Sequence, residues 1–286
     1  MKRLALLILL CPAASLHAAG DGVKVTAETV FSIGQFPVTN SMVTSWIVSL
    51  LLVFSIKLLV GRPQLIPSKG QLILESLIGG IRGIIEPIVG KKVFFPSFWL
   101  LSGLFFFILI QNWSGLLPGV GTIGYGTYAD NHFSIDKPLL RPGNADLNMT
   151  LALALVANIF WLYFIVKYAG IKAIAKDWFG NKADKSEVSA SIFGFLGIIF
   201  LAVGFIEVVS ILFRPVSLTF RLFGNVFGGE SLLHSMFYLV PQLKWILPVP
   251  FYFMEVLIGL VQALVFMLLT SVYIGLICNH EEGENH

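Results

Sequence analysis

The chain has 286 residues, of which 56% are hydrophobic and only 12% charged, with a mean hydropathy of +0.85. That balance excludes an ordinary soluble domain and describes a polytopic membrane protein. A net charge of +3 with no basic run gives no footprint for nucleic acid, and Cys11 and Cys278 are too far apart in sequence to suggest a disulfide framework or a cysteine-rich metal site.

Residues 1–19 begin with Lys2 and Arg3, continue through an apolar run from Leu4 to Leu10 and end in small residues at Ala18 and Ala19. This is a secretory signal pattern, too short to span stably. His17 and Leu16 stand where a cleavage site favours small residues, so an uncleaved amphipathic anchor is the other reading. Residues 20–41 are expected outside the cytoplasm, ahead of a single membrane domain over 42–286.

The first span is expected at 42–60. Lys57, Arg62, Lys69, Arg82, Lys91 and Lys92 then fall in one connection and place it in the cytoplasm by the positive-inside rule. Within it, Gln71 to Val89 interleaves apolar residues with Glu75, Arg82 and Glu86, the pattern of an amphipathic helix at the surface. A second span is expected at 96–117, ending in an interfacial Trp113 and Pro118.

The loop from Gly119 to Ala145 holds two decoys. Gly119, Gly121 and Gly124 have the spacing of a dinucleotide-binding motif, but a membrane span precedes them rather than a strand. Thr122-Ile123-Gly124-Tyr125-Gly126 resembles a potassium-channel filter, but no room is left for a pore helix. The loop reads instead as a turn-rich outer segment.

A third span, 147–167, is entered through Asp146 and Asn148. Lys167, Lys172, Lys176, Lys182 and Lys185 follow and mark the cytoplasmic side again. The stretch 188–240 would be about 75 Å long as one helix, against a hydrocarbon core of about 30 Å, so it is expected to be tilted or bent. Pro215, Gly224, Gly228 and Gly229 are the candidate bends. A return span at 251–278 completes five crossings, with the N-terminus outside and the C-terminus cytoplasmic. The fold class is therefore all-α and polytopic, the last two helices forming a long hairpin.

The fourth span carries the chemistry. Glu207, Ser210, Arg214, Ser217, Arg221 and Asn225 recur at steps of three or four and share one helical face. Glu230 lies nine residues past Arg221, about half a turn out of phase, with His234 one turn further on. On the return span Glu255, Gly259 and Gln262 share a face. A charge at mid-bilayer costs roughly 2.5–3.5 kcal/mol on insertion scales, so Arg221 calls for a function. Arg214 is equally readable as a structural partner of Glu207. An arginine cannot relay protons, but it favours ionisation of a carboxyl group beside it. Within the chain the nearest acid on the Arg221 face is Glu207, fourteen residues away, which points to a partner on another subunit.

Pro215-Val216-Ser217-Leu218, Arg221-Leu222-Phe223-Gly224-Asn225 and Gly229-Glu230 together resemble the signature of the subunit a family of F-type rotary ATP synthases. The order of membrane segments fits that family from about residue 36 onward. The resemblance implies a bacterial inner-membrane stator subunit with no catalytic site and no cofactor of its own. Its implied partners are a ring of c subunits, peripheral-stalk b subunits, the rest of the FoF1 complex, membrane lipid, and translocated H⁺ or Na⁺. Arg221 would face the ring and make each arriving carboxyl group release its ion. Glu230, Glu255, Asp146 and His234 would line an outer half-channel, and Glu207, Ser210 and Ser217 a cytoplasmic one. Asn225 and Gln262 would support the arginine. The family pattern admits His or Glu at the position of Glu255, and a Glu230/Glu255 pair of carboxyls suits a proton relay. The competing reading is a proton-coupled secondary transporter that binds an anionic solute at Arg221, although no internal repeat supports it.

Overall fold

The computed structural model describes residues 26–117, 120, 123–129, 132–168, 170, 190–239 and 246–278. The signal pattern at 1–19 and the lysines at 172, 176, 182 and 185 lie outside them. Two strands, β1 (Thr29–Ile33) and β2 (Phe36–Thr39), precede α1 (Asn40–Val60). Then come α2 (Lys69–Val89), α3 (Lys91–Ser114), strands β3 (Gly124–Ala129) and β4 (His132–Pro138), and a single 3₁₀ turn at Gly143–Ala145. Helices α4 (Leu147–Tyr168), α5 (Ala190–Leu239) and α6 (Val249–Cys278) complete the chain. Among the described residues, five of the six α-helices, all but α2, are long and apolar enough to cross a membrane.

The helix boundaries follow from local chemistry. Ser68 caps α2 by accepting a hydrogen bond from the Gln71 amide. Gly90, at φ +82°, ends α2 and turns the chain directly into α3, a conformation that favours glycine. Helix α3 therefore starts at Lys91, five residues ahead of the expected start at Pro96. The proline removes one backbone donor without ending the helix, and the Ser97 hydroxyl donates to Val93 O at 2.6 Å in the same turn.

Helix α5 runs through Pro215 as one 50-residue element. Pro215, Gly224, Gly228 and Gly229, the candidate bends, all lie inside this one continuous helix, whose middle packs against α4 and α6 on one side. Leu218 and Leu222 of α5 pack there into a core shared with Trp161 and Ile165 of α4 and with Phe266 and Met267 of α6. Glycine allows the closest approach at Gly275, where an added Cβ would collide with the Ile88 carbonyl of α2. Away from this core the helices carry exposed Leu50, Phe54, Trp99, Ile159, Phe205 and Phe253, an apolar exterior suited to lipid rather than water.

Two antiparallel hairpins decorate the helices. The expected turn-rich loop contains β3 and β4, paired from Gly124↔Pro138 to Ala129↔His132. Gly124–Gly126 of the filter-like stretch thus lies in a paired strand. The segment ahead of α1 forms β1 and β2, closed by a turn at Gly34, φ +63°. Asn40 N donates to Glu28 O at 3.0 Å and joins this hairpin to the start of α1.

Candidate functional site

The middle of α5 has a buried side and an exposed one. Pro215, Leu218, Leu222, Val226 and Gly229 recur at steps of three or four and, with Thr219, face inward. Ser210, Ser217, Arg221 and Asn225 lie on the exposed side. Arg221 makes no hydrogen bond or ion pair with any described residue. A guanidinium displayed on an apolar helix is costly in a bilayer unless something outside the chain meets it.

One turn beyond Arg221, Asn225 Nδ2 donates to Gln262 Oε1 at 2.7 Å and ties α5 to α6. Gln262 is buried. The two residues grouped with the arginine from sequence are therefore joined to each other.

Arg214 leaves the exposed stripe. Its guanidinium lies over the rings of Trp161, 4.8 Å from the centroid, and Tyr273, 4.2 Å, and it donates to Glu207 Oε1 at 3.0 Å. Trp161 Nε1 in turn donates to Tyr273 O at 2.8 Å. The bridge between Arg214 and Glu207 takes the first member of the expected stripe with it, because two aromatic faces attract the cation inward.

Toward the far end of α5 a second polar group gathers around Glu230. Arg141 Nη2 stands 4.0 Å from Glu230 Oε2. On the neighbouring helix the Glu255 carboxylate presses on Gly229, where any Cβ would collide with it. Asp146 is buried, accepting from Ser41 Oγ at 2.7 Å and from the Asn148 amide at 3.1 Å, so it caps the start of α4 and fastens it to α1. His234, half-buried, follows one turn after Glu230.

Between Asp146 and Glu255 runs a buried chain of amides. Asn144 Nδ2 donates to Asn112 Oδ1 at 2.7 Å, and Asn112 Nδ2 donates to Gly259 O at 3.0 Å. Gln111 Oε1 accepts from the Gly143 amide at 3.3 Å. Trp113 Nε1 donates to Val256 O at 3.1 Å. These contacts seat the 3₁₀ turn and the end of α3 against α6, beside Glu255.

Sequence reasoning missed Arg141, Asn112, Asn144, Gln111, Ser41 and Thr44. The signal available was the run Arg141-Pro142-Gly143-Asn144-Ala145-Asp146, polar and turn-forming yet immediately ahead of an apolar span. The structure sets the Glu255 carboxylate against Gly229, the residue before Glu230, while Glu230 faces Arg141; Glu207, Ser210 and Ser217 lie on the N-terminal side of Arg221 along α5.

Residues 42–275 match the family model described as ATP synthase A chain. The chain is also 30% identical, over 248 residues, to the ATP synthase subunit a of Moorella thermoacetica, an alignment covering 86% of this chain and 94% of that protein.

Proposed function

The chain belongs to the ATP synthase A chain family, and from that premise we propose that it is the stator subunit that conducts ions past the c-ring of a rotary F-type ATP synthase. It is a multi-pass membrane protein and a component of a proton-transporting complex. The family gives no support to an anionic-solute transporter. The observation that carries the finer reading is Arg221, an exposed guanidinium on α5 with no partner among the described residues.

On this reading the exposed side of α5, with Ser217, Arg221 and Asn225, faces a rotor whose subunits each carry a buried carboxyl group. A proton-bearing carboxyl reaching Arg221 releases its proton, because a cation about 4 Å away favours the carboxylate by roughly 4 kcal/mol at an effective dielectric near 20. The arginine keeps its own proton throughout, so it separates two aqueous paths instead of bridging them. Each charge crossing under 100 mV supplies about 2.3 kcal/mol.

The outer path is formed by Glu230 and by Glu255, whose carboxylate lies against Gly229, with His234 beyond them and Asp146 holding the mouth together. The cytoplasmic path runs along Ser217, Ser210 and Glu207, with Glu207 oriented by Arg214. Asn225 and Gln262 support the surface around Arg221. The conducted ion is H⁺ or Na⁺, as the ring's own site dictates. The subunit has no catalytic site of its own, works against the c-ring and the b subunits of the stalk, and lies in a bacterial inner membrane with its N-terminus outside and C-terminus inside.

The decisive experiment is Arg221→Ala in the assembled complex. ATP-driven acidification of inverted vesicles should vanish while the detached soluble head still hydrolyses ATP. Normal acidification would overturn the reading.

A further inference from the structure

Arg141 is buried and held by contacts from distant parts of the chain, yet the scheme above gives it no task. Its side chain is only 6% exposed. A buried guanidinium is tolerated only where several acceptors or a carboxylate surround it. Among the described residues, three separate parts of the chain meet Arg141. Its backbone amide donates to Thr44 Oγ1 of α1 at 3.0 Å, its Nη1 donates to the Thr26 carbonyl at 2.9 Å, and its Nη2 faces Glu230 of α5.

We propose that Arg141 is a positioning residue for proton passage at Glu230, and that residues 26–40 are the strap that holds it in place. The inference rests on the ion-conducting reading above and adds to it a residue and a device.

The spacing is what suits the task. At 4.0 Å the pair lies at the limit of an ion pair and beyond a direct hydrogen bond. Glu230 Oε2 makes no hydrogen bond with any described residue. A carboxylate gripped by two guanidinium hydrogen bonds would be a poor proton carrier, because each proton it took up would cost both bonds. A guanidinium one step further away still draws the carboxylate toward one side and leaves the oxygen open to a proton. Asp146, five residues from Arg141, shows the alternative: both of its oxygens are already engaged, by Ser41 and by the Asn148 amide.

The strap has its own fastenings. Asn40 is fully buried. Its Nδ2 donates to Pro138 O at 3.0 Å, and its Oδ1 accepts from the Glu28 amide at 3.3 Å. The hydroxyl of Thr44 donates to Asn40 O at 3.0 Å, and its oxygen receives the Arg141 amide. Loosening Asn40 therefore loosens both Thr26 and Thr44, the two groups that aim Arg141. The strap ends against the residue beside which the proton must pass.

The test uses the complete complex. Arg141→Gln should slow ATP-driven acidification of inverted vesicles about tenfold or more, and Arg141→Lys, which restores the charge, should recover most of it. Val38→Cys, a buried strap position outside the conducting machinery, should pump normally and react slowly with an impermeant maleimide in the detergent-solubilised complex. Adding Arg141→Gln or Asn40→Ala should speed that labelling about fivefold or more, as expected for a local opening. Asn40→Ala, which keeps the arginine, should also slow pumping severalfold, so the idea stays testable if Arg141→Gln fails to assemble. Undiminished pumping in Arg141→Gln, equal loss with Gln and Lys, or unchanged labelling in Asn40→Ala would each overturn the proposal. Arg221→Ala run alongside separates the two levels: normal pumping there removes the ion-conducting reading itself, whatever Arg141 does.

Discussion

The carboxylate of Glu255 in α6 rests on the backbone of Gly229, the residue next to Glu230 in α5. Gly229→Ala should fold, because the obstruction is the mobile end of a side chain, but Glu255 must then turn away. Proton pumping should fall severalfold, and adding Gly229→Ala to Glu255→Ala should cost nothing further. Additive losses in vesicle acidification would show that the two positions act separately.

The bond between Asn225 and Gln262 joins α5 to α6 one turn past Arg221. Asn225→Ala and Gln262→Ala should each reduce pumping, and the double variant should resemble the worse single one. The expected coupling is about 1 kcal/mol, a fewfold change in rate. Independent effects would mean that the bond does not serve the arginine.

Cysteines at Ser217, Arg221 and Asn225, all on the exposed side of α5, should crosslink to cysteines on a ring subunit. A cysteine at Glu230, turned toward Arg141, should do so poorly. Equal yields at all four positions would remove the two-sided description of this helix.

Gly275→Ala tests the packing apart from the chemistry. Its Cβ would strike the Ile88 carbonyl, a backbone atom that cannot swing aside. Overpacking of this kind costs roughly 1–3 kcal/mol. The variant should lower the thermal stability and yield of the assembled complex, while the rate per assembled complex changes little.

Arg214→Gln should loosen the join of α5 to α4 and α6, since it removes the cation from between Trp161 and Tyr273 and frees Glu207. Pumping should drop while the Asn225 and Ser217 crosslinks become less selective. Full crosslink selectivity in that variant would show that the aromatic clamp does not set the helix's rotation.

What was legible in the sequence follows from how strongly each feature is priced by the bilayer. The spans and Arg221 stand out, because hydrocarbon penalises every polar group and leaves a clear contrast. The hairpins do not. Gly124, Gly126 and Asp136 weaken the strand signal of β3 and β4, and a two-stranded ribbon is marginal without support. In the sequence Arg141 is one more charge in an outer loop. Only folding brings it 4.0 Å from Glu230, which is 89 residues away in sequence. Arg214 and Arg221 share one helical face in the sequence pattern, and only the aromatic rings of other helices, gathered over Arg214, tell them apart.

An α5 that runs unbroken past Pro215 joins the clamp on Arg214 to everything beyond it in one stiff element. Arg221 and Glu230 both sit on it, about 13.5 Å apart along the axis. A shift of the helix at Arg221 would therefore carry Glu230 with it and change its 4.0 Å gap to Arg141.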